Sequence, residues 1–190
     1  MKVIRGKDIE KYIDQLGLFR IEIFREYPYL YKGNLERERK YLSRYSFSSE
    51  GILILMLDDL GILGTCMGLP LKDEDEEFIE PFRGSALDKI FYIGEVMIRK
   101  DSRGKRLGKE LMLKMLSLID CKKYTKVCLY TVERESDHPL KTEVYGSSDT
   151  LWEELGFKKD PKCLAHYSWR DVGEKEETSK RMNVWVKEIY

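Results

Sequence analysis

"VMIRKDSRGKRLGKEL", residues 96–111, passes from a strand to a turn to a helix in a few positions. The apolar run that suits a β-strand ends at Ile98. A turn of bases and glycines follows: Arg103, Gly104, Lys105, Arg106, Gly108 and Lys109. Leu107, Leu111, Met115 and Leu118 then recur at helical spacing, and Met112 and Ile119 widen the stripe. The first turn of a helix has N–H groups with no intrahelical partner, and the helix dipole places about +0.5 charge there. Glycine lets a ligand approach that backbone, and the four bases add formal charge. Such a turn suits a pyrophosphate; the same residues also suit a solvated basic cap on a surface helix. It is not a Walker A loop, because no Lys-Ser/Thr follows Gly108, and it lacks the G-x-G-x-x-G order of a dinucleotide fingerprint.

The flanking sequence predicts a mixed α/β chain. "KIFYIGEVMI", 89–98, has few polar positions and reads as a central strand, and "TKVCLYTV", 125–132, as another buried strand. A helix over 104–120 between them requires a parallel pair. Upstream, Tyr12, Leu16, Phe19 and Ile23 mark a helix over 8–25, which Pro28 and Gly33 follow; Asn34 caps a second helix over 35–45. "GILILMLDDLGILGTCMGLPL" reads as a hairpin turning at Asp58-Asp59-Leu60-Gly61. Residues 71–88 read as an insertion with a short helical turn. A short helix over 147–157, ended by Gly156, and two strands at about 162–170 and 182–189 complete the order β-α-α-β-β-insert-β-α-β-α-β-β. No repeat or linker divides residues 1–190, so one domain is expected.

Composition narrows the class. Apolar content of 42% and charged content of 36% suit a soluble globular protein. The run "ILILML" is too short to span a bilayer, and the N-terminus has no signal-type apolar region, so a cytoplasmic protein without a membrane partner is expected. A formal net charge of zero argues against nucleic acid. Cys66, Cys121, Cys128 and Cys163 lack CxxC spacing and read as buried free thiols; two histidines are too few for a His-rich metal site.

Two stretches carry a resemblance. "EVMIRKDSRGKRLGKELM", 95–112, resembles the acyl-CoA-binding motif of the GNAT superfamily of N-acetyltransferases: a central strand, then Q/R-x-x-G-x-G/A, then a long helix. Arg103 matches the Q/R and Gly108 the final Gly/Ala, while Arg106 stands where the motif has its first glycine. "LWEELGF", 151–157, resembles the family's F-Y-x-x-L-G-F helix end, and the downstream sequence is similar to a bacterial subgroup that names no substrate. The resemblance implies a GNAT fold: a mostly antiparallel mixed sheet with a splayed central parallel pair, flanked by helices. It also implies acetyl-CoA as co-substrate. Backbone groups of Met97 and Ile98 would pair with the pantetheine arm, and the amides of Gly104, Lys105, Arg106, Leu107, Gly108 and Lys109 would hold the pyrophosphate.

Acyl transfer to an amine needs a neutral amine, a donor for the developing oxyanion and a proton for the leaving thiolate. An alkyl ammonium with pKa near ~10.4 is neutral in only about one molecule in 10³–10⁴ at pH 7. Glu95, a lone carboxylate in an apolar strand, is the first candidate base; the alternative is a structural ion pair. His138, in "ESDHPL", is the second, against a reading as a surface-loop histidine. By the resemblance, the leaving-group acid is a tyrosine at the position of Trp152. Indole cannot give up its proton, so Trp152 packs on pantetheine, Tyr145 substitutes, or solvent assists. The acceptor pocket is expected from Tyr27, Tyr29 and Tyr31 with the carboxylates of "KDEDEEFIEPF", which together suit a cationic small-molecule amine; a solvated acidic loop is the alternative. A homodimer stays open. The rival function is a non-catalytic acyl-CoA-binding or regulatory module.

Overall fold

The computed structural model describes residues 1–135, 137–141 and 146–190. Its centre is a seven-stranded sheet in the order β1-β2-β3-β4-β5-β7-β6. The strands are β1 (Lys2–Arg5), β2 (Ile52–Asp58), β3 (Gly61–Pro70), β4 (Ile90–Ile98), β5 (Lys126–Val132), β6 (Lys158–Trp169) and β7 (Thr178–Glu188). β4 is the middle strand, as its apolar run predicts. β4 and β5 are parallel, joined by the crossover helix α4 (Leu107–Leu118), and every other neighbouring pair is antiparallel.

Each sheet face has its own cover and core. On one face lie α1 (Ile13–Phe24), α2 (Leu35–Phe47) and the four-residue α3 (Glu76–Ile79), which bury Leu16, Phe19, Leu42, Tyr45 and Phe78 against β3, β4 and β5. On the other lie α4 and α5 (Asp149–Glu154), which bury Leu111, Met112, Met115, Trp152 and Phe157. The Asn34 cap is present: its side chain accepts from the Arg37 amide at 2.9 Å.

Several boundaries differ from expectation. Residues Gly6–Tyr12 form a 3₁₀ helix rather than the start of α1. Gly6 and Ile9 are buried and Tyr12 half-buried, a three-residue spacing that 3₁₀ geometry places on one face. α4 starts at Leu107, because Gly104 (φ 77°) and Arg106 (φ 60°) take left-handed backbone. β6 starts earlier than expected. Lys158 and Lys159 pair with Val186 and Trp185, and the register then breaks until Leu164, around Pro161, which has no N–H to offer a neighbour. The 71–88 segment is three 3₁₀ turns around α3, held down by buried Leu71, Phe78 and Phe82. Of the four thiols, only Cys66 and Cys128 are buried; Cys163 is half-buried, and Cys121 is exposed just beyond the end of α4.

Candidate functional site

Three features meet where β4 and β5 part. The two strands pair only over Ile90↔Lys126, Phe91↔Val127 and Tyr92↔Cys128, although both continue beyond. The cause lies in β4. Against β3 its register jumps from Ile93 to Glu95, which leaves Gly94 as a bulge, and a bulge bends its strand and shifts the alternation by one. Before it, Ile90 and Tyr92 face the α1/α2 core, while Phe91 and Ile93 face α4. After it, Glu95 meets α1 through Arg20, and Met97 lies in the α1/α2 core. Without the bulge, Glu95 would share the α4 face with Ile93. Only glycine fits the kink: a β-carbon there would lie 1.9 Å from the Tyr45 hydroxyl oxygen.

At the open end of the fork stands the N-terminus of α4. The first bond back from the helix runs from the Glu110 amide to the Arg106 carbonyl at 3.2 Å, so the amides of Leu107, Gly108 and Lys109 precede the intrahelical ladder. Arg106, where the motif has a glycine, keeps the left-handed backbone that a glycine would favour. A β-carbon on Gly108 would meet only Leu151 at 3.8 Å and Ile98 at 4.0 Å. Packing within the protein therefore does not require glycine here. Arg103 bonds the Ile98 carbonyl through Nε (3.1 Å) and Glu26 through Nη1 (2.6 Å). Lys109 is paired with Glu154 of α5 at 2.7 Å. Lys105 and Arg106 are exposed.

Beneath the fork, on the α1/α2 face, lies a cavity of about 540 Å³. Tyr92 and Gly94 of β4 and Tyr130 of β5 line it at the place where the strands separate. Phe24, Tyr29, Tyr31, Tyr41, Phe78, Tyr167 and Trp169 add aromatic wall. Arg20 and Arg44 of its wall each centre a cluster of acids. In the first, Arg20 donates to Glu38 at 2.5 Å, is paired with Glu95, and lies 4.2 Å from the Tyr41 ring centre; Glu38 also accepts from Tyr31 at 2.7 Å. In the second, Arg44 contacts Glu74 at 2.8 Å and Asp75 at 2.5 Å. Burial raises the Glu74 carboxyl to about 7, against the opposing pull of Arg44. Burial, with Glu38 adding to it, pushes the Tyr31 phenol above its ordinary value.

The 25–31 segment that roofs the cavity is tied down from β5 and β6. Arg134 donates to the carbonyls of Pro28 and Tyr29 at 2.8 Å each and forms a two-pronged pair with buried Asp171 (2.7 and 3.0 Å). Trp169 Nε1 donates to the same Tyr29 carbonyl at 3.0 Å.

Glu95 is buried and paired with Arg20, which lines the cavity, but is not itself among the lining residues. Tyr29 and Tyr31 line the cavity, as do Asp75 and Glu77 of the acidic run. The other acids of that run have different partners: Asp73 accepts from Ser48, and Glu76 pairs with Arg83. His138 is not among the lining residues; it lies 5.5 Å from the Tyr27 ring, and its Nδ1 accepts from the Leu140 amide. Trp152 is packed in the α4 core, with its N–H given to Ser148 Oγ at 3.1 Å. Tyr145 lies outside the described residues.

Arg20, Glu38, Arg44, Tyr92, Tyr130 and Tyr167 are absent from the sequence reading. Glu38 had a legible signal: with Leu35, Leu42 and Tyr45 it falls at i, i+3, i+7 and i+10, inside the buried stripe of α2. The tyrosines come from three separate strands and meet only in the folded sheet. Among the described residues, no group of His, Cys, Asp and Glu is arranged to hold a metal, and no helix is long and apolar enough to cross a membrane.

No protein-family model matches the chain, and no curated protein matches it in sequence. Solved structures do match its fold. A ribosomal-protein-alanine N-acetyltransferase from Brucella melitensis superposes over all of both chains, with a TM-score of 0.60 at 12% identity. An acetyltransferase of the GNAT family from Streptococcus pneumoniae gives 0.61 at 13% identity over 99% of each chain. An IAA acetyltransferase from Bacillus cereus gives 0.57 at 12%, over 99% of this chain and 100% of that one. The seven-stranded mixed sheet, whose central parallel pair β4–β5 parts after three residue pairs, is the GNAT fold.

Proposed function

We propose that the chain is an N-acetyltransferase that moves an acetyl group from acetyl-CoA to an amine of a cationic small molecule held in the aromatic cavity. One observation carries this reading: the β4–β5 fork joins a helix N-terminus with room beside Gly108 to a cavity lined at the fork itself by Tyr92, Gly94 and Tyr130. Acetyl-CoA, when bound, supplies an activated acetyl thioester. The amides of residues 104–109 and the nearby bases would hold its phosphates, and Met97 and Ile98 lie on the strand that borders the fork.

The remaining chemistry falls to this chain. Glu95 accepts the proton that the acceptor ammonium must lose. It is buried and shares Arg20 with Glu38. The aromatic walls exclude water and attract a cation. Soluble thiol released from acetyl-CoA across a panel of amines tests the reading. Release that depends on amine supports it, and its absence with every amine, in a protein that binds CoA, favours the non-catalytic acyl-CoA-binding reading. The Trp152 indole, spent on Ser148, is the observation behind that second reading.

A further inference from the structure

Two phenols beside the fork hold one proton more than their own hydrogen bond uses. Tyr41 and Tyr45 stand one turn apart on α2, with their hydroxyl oxygens 3.0 Å from each other. Among the described residues neither hydroxyl has another hydrogen-bond partner. Two O–H groups therefore share one bond, and the second proton has no acceptor. Tyr45 is wholly buried, whereas Tyr41 lines the cavity. The order of donation follows: Tyr45 gives its proton to Tyr41, and Tyr41 turns its own toward the cavity. Burial raises both phenols above their ordinary value, so both keep their protons at neutral pH.

The position of the pair is as telling as its proton. The Tyr45 hydroxyl takes the space that a β-carbon on Gly94 would fill, and the Tyr41 oxygen lies 3.1 Å from that point. Gly94 follows the last β4–β5 pair, Tyr92↔Cys128, and lines the cavity. A ligand arm that runs from the N-terminus of α4 through the fork into the cavity reaches this glycine. The guanidinium groups of Arg20 and Arg44, 4.2 and 5.1 Å from the Tyr41 ring centre, hold the phenol in place. Other donors are spent or distant. Tyr130 gives its proton to the Phe78 carbonyl at 2.7 Å, and Trp152 gives its N–H to Ser148. Tyr167 has an unpartnered hydroxyl, but β6 lies three strands from β4, about 14 Å at ~4.8 Å per strand.

Resting on the acetyl-transfer reading, we propose that Tyr41 is the hydrogen-bond donor to the sulfur of the acetyl thioester, with Tyr45 as the positioning residue behind it. A thioester under attack needs donors at two atoms. Beyond Tyr92 the β4 backbone has no β5 partner and can serve the carbonyl oxygen, which leaves the sulfur to Tyr41. The N–C bond forms as the C–S bond breaks, and the C–S electron pair goes to sulfur. The Tyr41 O–H stabilises that thiolate as it appears. The acceptor ammonium gives its first proton to Glu95. The second, shed by the nitrogen of the adduct, goes to the thiolate, so CoA leaves as the thiol.

Ultraviolet titration of the thiol of bound CoA tests this in the full chain, with desulfo-CoA as the blank for the protein's own tyrosines and cysteines. An alkyl thiol such as that of cysteine titrates near ~8.5, and a donor aimed at the sulfur favours the thiolate. The bound thiol should therefore titrate about one pH unit higher in Tyr41→Phe than in the wild type, a tenfold loss of thiolate. Tyr45→Phe should move it the same way by less, because Tyr41 keeps its own proton. CoA affinity at a pH where the sulfur is a neutral thiol should hardly change in either variant. A bound thiol that titrates alike in the wild type and in Tyr41→Phe would overturn the donor and leave the acetyl-transfer reading standing. A thiol that moves as expected, in a protein that releases no thiol from acetyl-CoA with any amine, would instead overturn the acetyl-transfer reading and leave the donor standing.

Discussion

At the scale of single residues, two buried carboxylates, Glu95 and Glu74, pair with arginines of the cavity wall. Glu95 reads in sequence as either a base or a structural ion pair, and the structure supplies the pair, with Arg20, a residue of the cavity wall. If it takes the acceptor proton, Glu95→Gln should lower kcat by ~10²–10⁴ near neutral pH. CoA affinity should hardly move, and the loss should shrink at high pH, where free amine is abundant. A variant with the full rate at pH 7 would assign the proton to solvent or another group. Glu74 makes a separate prediction about stability. Its carboxyl, at about 7 in the fold against an ordinary 4.5, holds its proton in the folded chain over a range where the unfolded chain has lost it. Bound protons then favour the fold at low pH. Stability from this group is present below about 4.5 and falls as pH rises to about 7. Glu74→Gln should remove that slope: thermal melts should show the variant gaining on the wild type between pH 5 and pH 8. A constant difference across that range would contradict the assignment.

At the scale of elements, the regular pieces were legible and the irregular ones were not. The central strand, the hairpin at Asp58–Gly61, the Asn34 cap and the parallel pair follow from apolar runs, turn residues and helical spacing, all of which are local. The bulge at Gly94 is not local. Its glycine is required by Tyr45, which sits on α2 and reaches β4 only through the fold. The early start of β6 was hidden because Pro161 reads as a loop. Likewise the cavity was only half foreseen: Tyr29, Tyr31 and the acidic run lie in contiguous stretches, whereas Arg20 and Glu38 look like ordinary charges on solvated helices until burial is known. The bulge can be tested as an element. Gly94→Ala places a methyl on the Tyr45 hydroxyl and should cost about 1–3 kcal/mol in urea unfolding, the range for overpacking. Tyr45→Phe in the same chain should return part of that loss, a coupling visible in a double-mutant cycle. Additive effects would mean that the kink does not depend on that contact.

At the scale of the whole molecule, the sheet divides the work between its faces. The α4 face holds an apolar core and, at its edge, the amides and bases of the 103–109 turn; the α1/α2 face holds the aromatic cavity with its paired charges. β4 and β5 part near the middle of the sheet, and the chain shares its fold with solved acetyltransferases at 12–13% identity. The central claim is that the anionic end of acetyl-CoA sits at the N-terminus of α4, beside Gly108. Calorimetric titration of CoA into the wild type and into Gly108→Glu tests it most directly. The β-carbon has room, so the variant should fold, while its carboxylate would stand where a phosphate belongs. The account predicts a loss of CoA affinity of at least about tenfold, roughly 1.4 kcal/mol, with an unchanged thermal midpoint; a folded variant that binds CoA as tightly as the wild type would contradict it.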